Sequence, residues 1–412
     1  ASVFGPEPTQ KKGYPGHQEI ELALVRLYRI TKNPKHLDLA KFFIDERGKS
    51  PHYFRLEAEK RGETRPYWYK WGYEYSQSHV PVREQDTAVG HAVRAMYMYC
   101  GMVDVARETK DQELLKVCKG LWDNVVTKRM YITGGVGSQA FGEGFSTDYD
   151  LPNDTAYTET CAAIGLAFWA HRMLQVDPDG QYADTMERAL YNGALSGMSL
   201  SGERFFYVNP LKVWPHLTER RYDHRHVQPS RQGWFGCACC PPNIARLLTS
   251  IGQYAYSVAG NSLCVHLFAQ GSLNLDLQGV KVEIGQMTDY PFDGEVTLTL
   301  EPEEAHRFQL FIRIPHWCQN PSVSVVGETL EKLDVAKGYL RLDRTWSPGD
   351  QIKLLLPMPI QRVRANPLVR ENVGKVALQR GPLVYCLEEE DCGSNLSAIF
   401  LPREAQLAME VD

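Results

Sequence analysis

The chain has 412 residues, of which 43% are hydrophobic, 23% charged and 11% aromatic. That length predicts two or three domains with a sizeable buried core, and the composition excludes disordered and fibrous classes. Fifty acidic against 45 basic residues leave a formal charge of −5, and no basic run is able to neutralise a phosphate backbone, which argues against nucleic acid as a partner. No apolar run approaches bilayer length, so no membrane partner is expected. The start, ASVFGPEPTQKKGYPGHQ, lacks the charged and apolar blocks of a signal peptide and also lacks an initiating Met. Outside one cluster the ten cysteines are scattered singly, a pattern of reduced thiols in a cytoplasmic compartment.

In chain order, Ile20, Leu24, Leu27 and Tyr28 share one face of a helix that stops before Asn33-Pro34. That dipeptide opens a second helix, with Asn33 as cap and Pro34 at the first position, running through Leu37, Ala40 and Ile44 to Gly48. Further helical patterns cover 84–109, 111–126, 159–175, 180–196 and 242–257, seven helices in all. Past VAGNS at 258–262 the period changes to alternation. Leu273, Leu275 and Leu277, then Val296, Leu298 and Leu300, then RFQLFIRIP at 307–315 read as strands. The expectation is a helical domain over 1–259 and a β-sandwich over 260–412. Two long loops interrupt the helical part. Residues 51–83 carry Tyr53, Phe54, Tyr67, Trp68, Tyr69, Trp71, Tyr73 and Tyr75, which either stack on sugar rings or pack a core, and residues 130–158 are Gly-rich and acidic.

GWFGCACCPPN at 233–243 puts Cys237, Cys239 and Cys240 within four positions. Adjacent cysteines are poorly placed to bond to each other. Thiolates on a soft metal are the better use, and a tetrahedral zinc site wants four ligands, of which Cys239 and Cys240 supply two. Glu159 and Cys161 in YTETCAAIGLAF are the best candidates for the rest. Side chains two apart converge only on an extended segment, so this pair chelates only if Glu159 stands at or before the helix start; the alternative is a Cys161 buried as a small apolar residue. Glu143, flanked by glycines in AFGEGFSTDYD, and Asp148 and Asp150 after it offer the acid pair of a glycosidase or an ordinary solvated loop. TGGVGS at 133–138 fits no phosphate loop. His17 and His91 each follow a glycine at a helix start, where a histidine can meet a ligand or be an ordinary satisfied residue.

Together GHQEIELAL, DTAVGHAVRA, RMYITGGVGS, GEGF with DYDLPNDTAYTETCA, FFYVN, WFGCACCPPNIARL and VALQRGPLVYC resemble glycoside hydrolase family 127, the β-L-arabinofuranosidases, and its sister families. The resemblance spans nearly the whole chain. It implies a retaining exo-glycosidase with zinc bound by Glu159, Cys161, Cys239 and Cys240. Cys239 would also be the nucleophile and Glu143 the acid/base, with His17, His91 and Tyr207 contacting the sugar. Cys237 has no implied role. The family's catalytic domain is an (α/α)6 barrel, which seven helices cannot close, so the expectation is a chain that begins partway through that domain. Two other readings remain: Glu143 with Asp148 or Asp150 as an inverting pair beside a structural zinc, and a non-catalytic carbohydrate-binding protein. The β domain could shape the site or mediate a homodimer.

Overall fold

The computed structural model describes residues 2–66 and 68–410; Tyr67, named above, lies outside the described residues. Helices run in the order α1 (Ile20–Thr31), α2 (Pro34–Glu46), α3 (Tyr53–Arg61), α4 (Trp68–Trp71), α5 (Ala92–Thr109), α6 (Gln112–Asn124), α7 (Thr160–Leu174), α8 (Gly180–Arg188), α9 (Pro215–Thr218), α10 (Cys240–Thr249) and α11 (Gly252–Ala255). Strands follow from residue 256 onward. No helix among the described residues is long and apolar enough to cross a membrane.

The chain forms two compact units, the first of Ala1–Pro178, Arg188–Thr249 and Leu368–Glu371. Within it α1 and α2 pack as a hairpin, closed where the Asn33 side chain accepts from Lys35 N at 3.1 Å. Helix α5 packs against α1, α2, α6 and α7, and α7 packs against α10. Both α5 and α7 are buried along nearly their whole length, the expected fate of a helix apolar on every side. The two helices that bear the site, α7 and α10, are therefore held by the core of this unit.

Four helical expectations need correction. The stretch 51–83 is not a continuous loop, since it holds α3. Phe54 and Ala58, four apart on α3, bury together, Phe54 against Tyr14 at 4.9 Å, and Gly62 closes the helix in the left-handed region. The helix expected from residue 84 begins only at Ala92, because Gly90 has φ +69 and a Cβ there would meet the Glu74 carbonyl. The helix over 180–196 leaves the α form after Arg188 in a wider π turn, Ala189–Ala194. The last one starts two residues early, at Cys240, and the residues from Tyr256 on are strand.

The second unit comprises Asp179–Glu187, Ser250–Pro367 and Asn372–Asp412. Its five-stranded sheet has the order β1 (Tyr256–Ala259), β2 (Ser262–Val265), β6 (His306–Arg313), β10 (Tyr339–Trp346), β9 (Val335–Ala336), with β2 and β6 parallel. An antiparallel six-stranded sheet runs β3 (Gly271–Leu277), β4 (Val280–Met287), β5 (Glu295–Pro302), β11 (Asp350–Leu355), β7 (Ser322–Val325), β8 (Glu328–Thr329), and β12 (Ile360–Val363), β13 (Ala377–Arg380) and β14 (Leu383–Tyr385) form a third sheet. Alternation holds residue by residue: Val282 and Ile284 are buried between exposed Lys281 and Glu283, and Ile284 lies opposite buried Leu300. Within this unit fully buried Arg313 pairs with Asp184 at 3.2 Å and with Glu187, which ties the first turns of α8 to β6.

Candidate active site

The site is built where an extended segment enters α7. Glu159 stands immediately before the helix with extended φ/ψ of −60 and 137, so it and Cys161 in the first turn converge as the spacing argument required. Backbone pairing holds this entry: Thr158 N donates to Gly137 O at 2.8 Å and Thr160 N to Tyr207 O at 2.9 Å. Thr158 has φ +38, a left-handed value that costs energy for a β-branched residue. It is kept there by its hydroxyl, which donates to Asn209 O at 2.6 Å, and by Asn209 Nδ2, which donates to Thr158 O. The same pairing delivers Tyr207 to the site.

The diproline behind the cysteines has a local reason. Cys240 is the first residue of α10, and Pro241 and Pro242 fill first-turn positions whose N–H groups would have no helical partner. Cys239 O accepts from Asn243 N at 3.3 Å, so Cys239 caps the helix, and the positive end of the helix dipole favours a thiolate there. Cys161 Sγ lies 3.5 Å from Cys239 Sγ and 3.6 Å from Cys240 Sγ, and the latter two are 3.9 Å apart. Glu159 Oε1 is 3.3 Å from Cys239 Sγ. The ligand atoms of Glu159, Cys161, Cys239 and Cys240 all fall within 4.8 Å of one another, and among the described residues Glu159 Oε2 is buried without a hydrogen-bond partner. Four acids in so small a buried volume are suited to holding one cation. Cys237, two residues away, is exposed and outside the cluster.

Charge within the cluster is unevenly shared. Hydrogen bonds from the Cys161 and Cys240 thiols hold Cys239 far below the ordinary thiol value, and the bonds of Cys161 to Cys239 and to Cys240 push Cys161 up. Burial, followed by the charges of Cys239 and Glu143, raises the Glu159 carboxyl. The Tyr207 hydroxyl sits 3.3 Å from Cys239 Sγ, where it can donate to a thiolate, and burial with its acidic neighbours keeps it protonated.

Across from the sulfurs stands Glu143, in a left-handed conformation (φ +50) on a short turn, Phe141–Glu143. Its Oε2 is 3.0 Å from His91 Nε2. His91 caps α5 by accepting from Arg94 N at Nδ1, so the proton sits on Nε2 and is donated to the carboxylate. Tyr157 also hydrogen-bonds to Glu143. Burial pushes this carboxyl up, but the hydrogen bonds from His91 and Tyr157 outweigh it and the net shift is downward. His91, Glu143 and Glu159 themselves lie within 4.8 Å of one another, which joins the acid pair to the sulfur cluster. The His17 ring is 6.1 Å from that of His91. Its Nδ1–H donates to Gln18 O, leaving Nε2 as acceptor, and burial and then Arg94 lower its pKa.

Glu143, Glu159, Cys161, Cys239, Cys240, His17, His91 and Tyr207, all named from the sequence, thus fall in this one region, and Asp148 does not. Asp148 is held by Arg129 at 2.7 Å, Lys128 at 3.2 Å and Asn124 at 3.0 Å, a structural engagement that occupies the carboxylate. Tyr157 was not singled out by sequence reasoning; its only signal is its place two residues before Glu159. Of the loop aromatics, Tyr53 and Phe54 pack the core with Tyr14 and Phe43, whereas Trp71 and Tyr75 reach towards the site through His91.

Comparison with known proteins places this geometry in context. Residues 1–253 match the family described as Beta-L-arabinofuranosidase, GH127 catalytic domain, residues 262–358 its middle domain, and residues 360–411 the glycoside hydrolase family 127 C-terminal domain. The chain is 40% identical over 397 residues to the non-reducing end beta-L-arabinofuranosidase of Bifidobacterium longum subsp. longum, covering 94% of this chain and 59% of that protein. A solved GH127 beta-L-arabinofuranosidase from Geobacillus stearothermophilus T6 is 56% identical with a TM-score of 0.96, over 98% of this chain and 64% of that one. A second solved GH127 beta-arabinofuranosidase is 40% identical with a TM-score of 0.83, over 95% and 59%. The chain therefore spans about three fifths of the length of the relatives it matches.

Proposed function

We propose, from the premise that this chain belongs to glycoside hydrolase family 127, that it is a retaining exo-glycosidase releasing L-arabinofuranose from β-L-arabinofuranosides. The observation that carries this reading is the acid pair His91–Glu143 facing a cluster of three cysteines and Glu159. We assign a zinc ion to Glu159, Cys161, Cys239 and Cys240. The donor set fits: tetrahedral bonds of about 2.3 Å to sulfur and about 2.1 Å to oxygen imply ligand separations of ~3.8 Å between sulfurs and ~3.6 Å from sulfur to oxygen. The separations found are 3.5, 3.6 and 3.9 Å between sulfurs and 3.3 Å from sulfur to oxygen. When bound, the ion would keep the thiols deprotonated at neutral pH and neutralise their crowded charge.

His17 and His91 then orient the sugar, and the protonated form of Glu143, which the His91 and Tyr157 bonds make the minor one in the free site, gives its proton to the leaving oxygen as Cys239 Sγ attacks the anomeric carbon. The C–S bond forms while the glycosidic C–O bond breaks. In the second half Glu143, now a carboxylate, takes a proton from water, whose oxygen attacks the same carbon and releases the Cys239 thiolate. Two inversions give net retention. Tyr207 steadies the sulfur by hydrogen bonding in both states. For the catalysis we assign the helical part, expected over 1–259 but giving way to strand at Tyr256, to a partial (α/α)6 barrel, as the packing of α5 with its neighbours supports, and the sheets beyond it to a β-sandwich, as two sheets with alternating burial support. The inverting alternative loses support in the form that uses Asp148, which is committed to Arg129.

The test is nitrophenol release from p-nitrophenyl β-L-arabinofuranoside by the parent chain and Cys239→Ala, with product stereochemistry followed by NMR. Release of the β-anomer by the parent alone is expected. Equal release by both, or the α-anomer as first product, would end the thiolate mechanism.

A further inference from the structure

A chain of rings leads out of the site. His17 and His91 are 6.1 Å apart, His91 and Tyr75 5.5 Å, Tyr75 and Trp71 5.4 Å, and Trp71 and Phe141 4.7 Å between centroids. From His91 outward burial falls: His91 is 7% exposed, Tyr75 and Trp71 are half-buried and Phe141 is 59% exposed. Arg94 covers the Tyr75 face at 4.5 Å and Lys70 lies over Trp71 at 4.2 Å. Phe141 is thus the exposed outer end of the run from His91, and it borders a cleft of about 80 Å³ shared with Trp71, Tyr75 and Gly142. Phe141 also belongs to the three-residue turn that carries Glu143.

We propose that this aromatic run receives the leaving group, a sugar ring, and that Phe141 is its specificity-determining residue. The inference rests on the assignment of Glu143 as acid. A general acid protonates the oxygen that departs, so whatever that oxygen is attached to must emerge on the Glu143 side. Phe141, two residues before Glu143 on the same turn, offers an exposed apolar face there. Pyranose and furanose rings present a C–H face that packs on an aromatic ring, and an aromatic contact of this kind contributes about 0.5–1.5 kcal/mol. Binding that survives into the transition state raises kcat/KM.

Phe141→Ala and Phe141→Trp are compared with the parent on two substrates, methyl β-L-arabinofuranoside and a disaccharide with β-L-arabinofuranose at its non-reducing end. Phe141→Ala should lower kcat/KM for the disaccharide about tenfold and that for the methyl glycoside less than twofold, and Phe141→Trp should restore the disaccharide value. An equal fall on both substrates would mean that Phe141 merely props the Glu143 turn, and an unchanged disaccharide value would mean that the leaving group lies elsewhere; either overturns the inference while leaving the functional reading intact. Silence of the parent on both substrates overturns the functional reading, and this inference with it.

Discussion

Gly144→Ala tests whether the pairing of Glu143 with His91 controls the chemistry. Gly144 bridges to His91 and also pairs with Gln139, donating to Gln139 O at 3.0 Å and accepting from Gln139 N at 3.1 Å. Phe145 N beside it donates to Gly90 O at 2.9 Å. A Cβ on Gly144 would lie 2.5 Å from Gly90 O, 2.9 Å from Gly90 C and 3.3 Å from Gly142 O. All three are backbone atoms and none can rotate away. Restoring ordinary contact requires the strands to part by roughly 1 Å, given a carbon–oxygen contact near ~3.4 Å. That displacement would stretch the 3.0 Å bond between His91 and Glu143 beyond hydrogen-bonding range. A misplacement of about 1 Å costs on the order of a hundredfold in rate, or about 2.7 kcal/mol, and overpacking costs a further ~1–3 kcal/mol of stability. The assay is kcat on p-nitrophenyl β-L-arabinofuranoside beside thermal unfolding. Gly120→Ala is the control, since a Cβ at Gly120 on α6 meets nothing within 4 Å; it should keep activity and gain up to ~1 kcal/mol of helix stability. A Gly144→Ala enzyme that retains kcat within twofold would refute the reasoning.

Cys161→Ser should lower bound zinc below half an equivalent after gel filtration, because a serine hydroxyl stays protonated at neutral pH, and should lower the melting temperature, since metal binding adds to folding free energy. Metal analysis giving a full equivalent would remove Cys161 from the ligand set. Asp148→Asn should retain near-parental kcat but destabilise the fold at pH 7. Burial opposes ionisation of this carboxyl, yet Arg129, Asn124 and Lys128 together lower its pKa. A carboxyl lowered on folding stabilises above its unfolded value near ~3.9 and loses that contribution as pH falls through the folded value. The difference from the parent in denaturant midpoint should therefore shrink below about pH 4; a loss of kcat above a hundredfold with the fold intact would instead revive an acid pair that includes Asp148.

Much of the architecture was legible locally. Period 3.6 before residue 256 and period 2 after it follow from side-chain direction alone, and Asn33-Pro34 signals its cap within three residues. The CACC cluster and the need for Glu159 to precede a helix follow from ligand chemistry and helix geometry. Other features lay beyond any local window. Helix α3 exists because Phe54 finds Tyr14, and α5 starts late because Gly90 must pass the Glu74 carbonyl. Cys161 and Cys239, 78 residues apart, meet only because α7 packs on α10. The pairing of His91 with Glu143, the capture of Asp148 by Arg129 and the outward run from Tyr75 to Phe141 are likewise products of tertiary folding. Residue types and periodicity set which elements form and which chemistries are available. Which carboxylate is left free to react depends on long-range backbone pairing, where a shift of a single register step sends each side chain to another face.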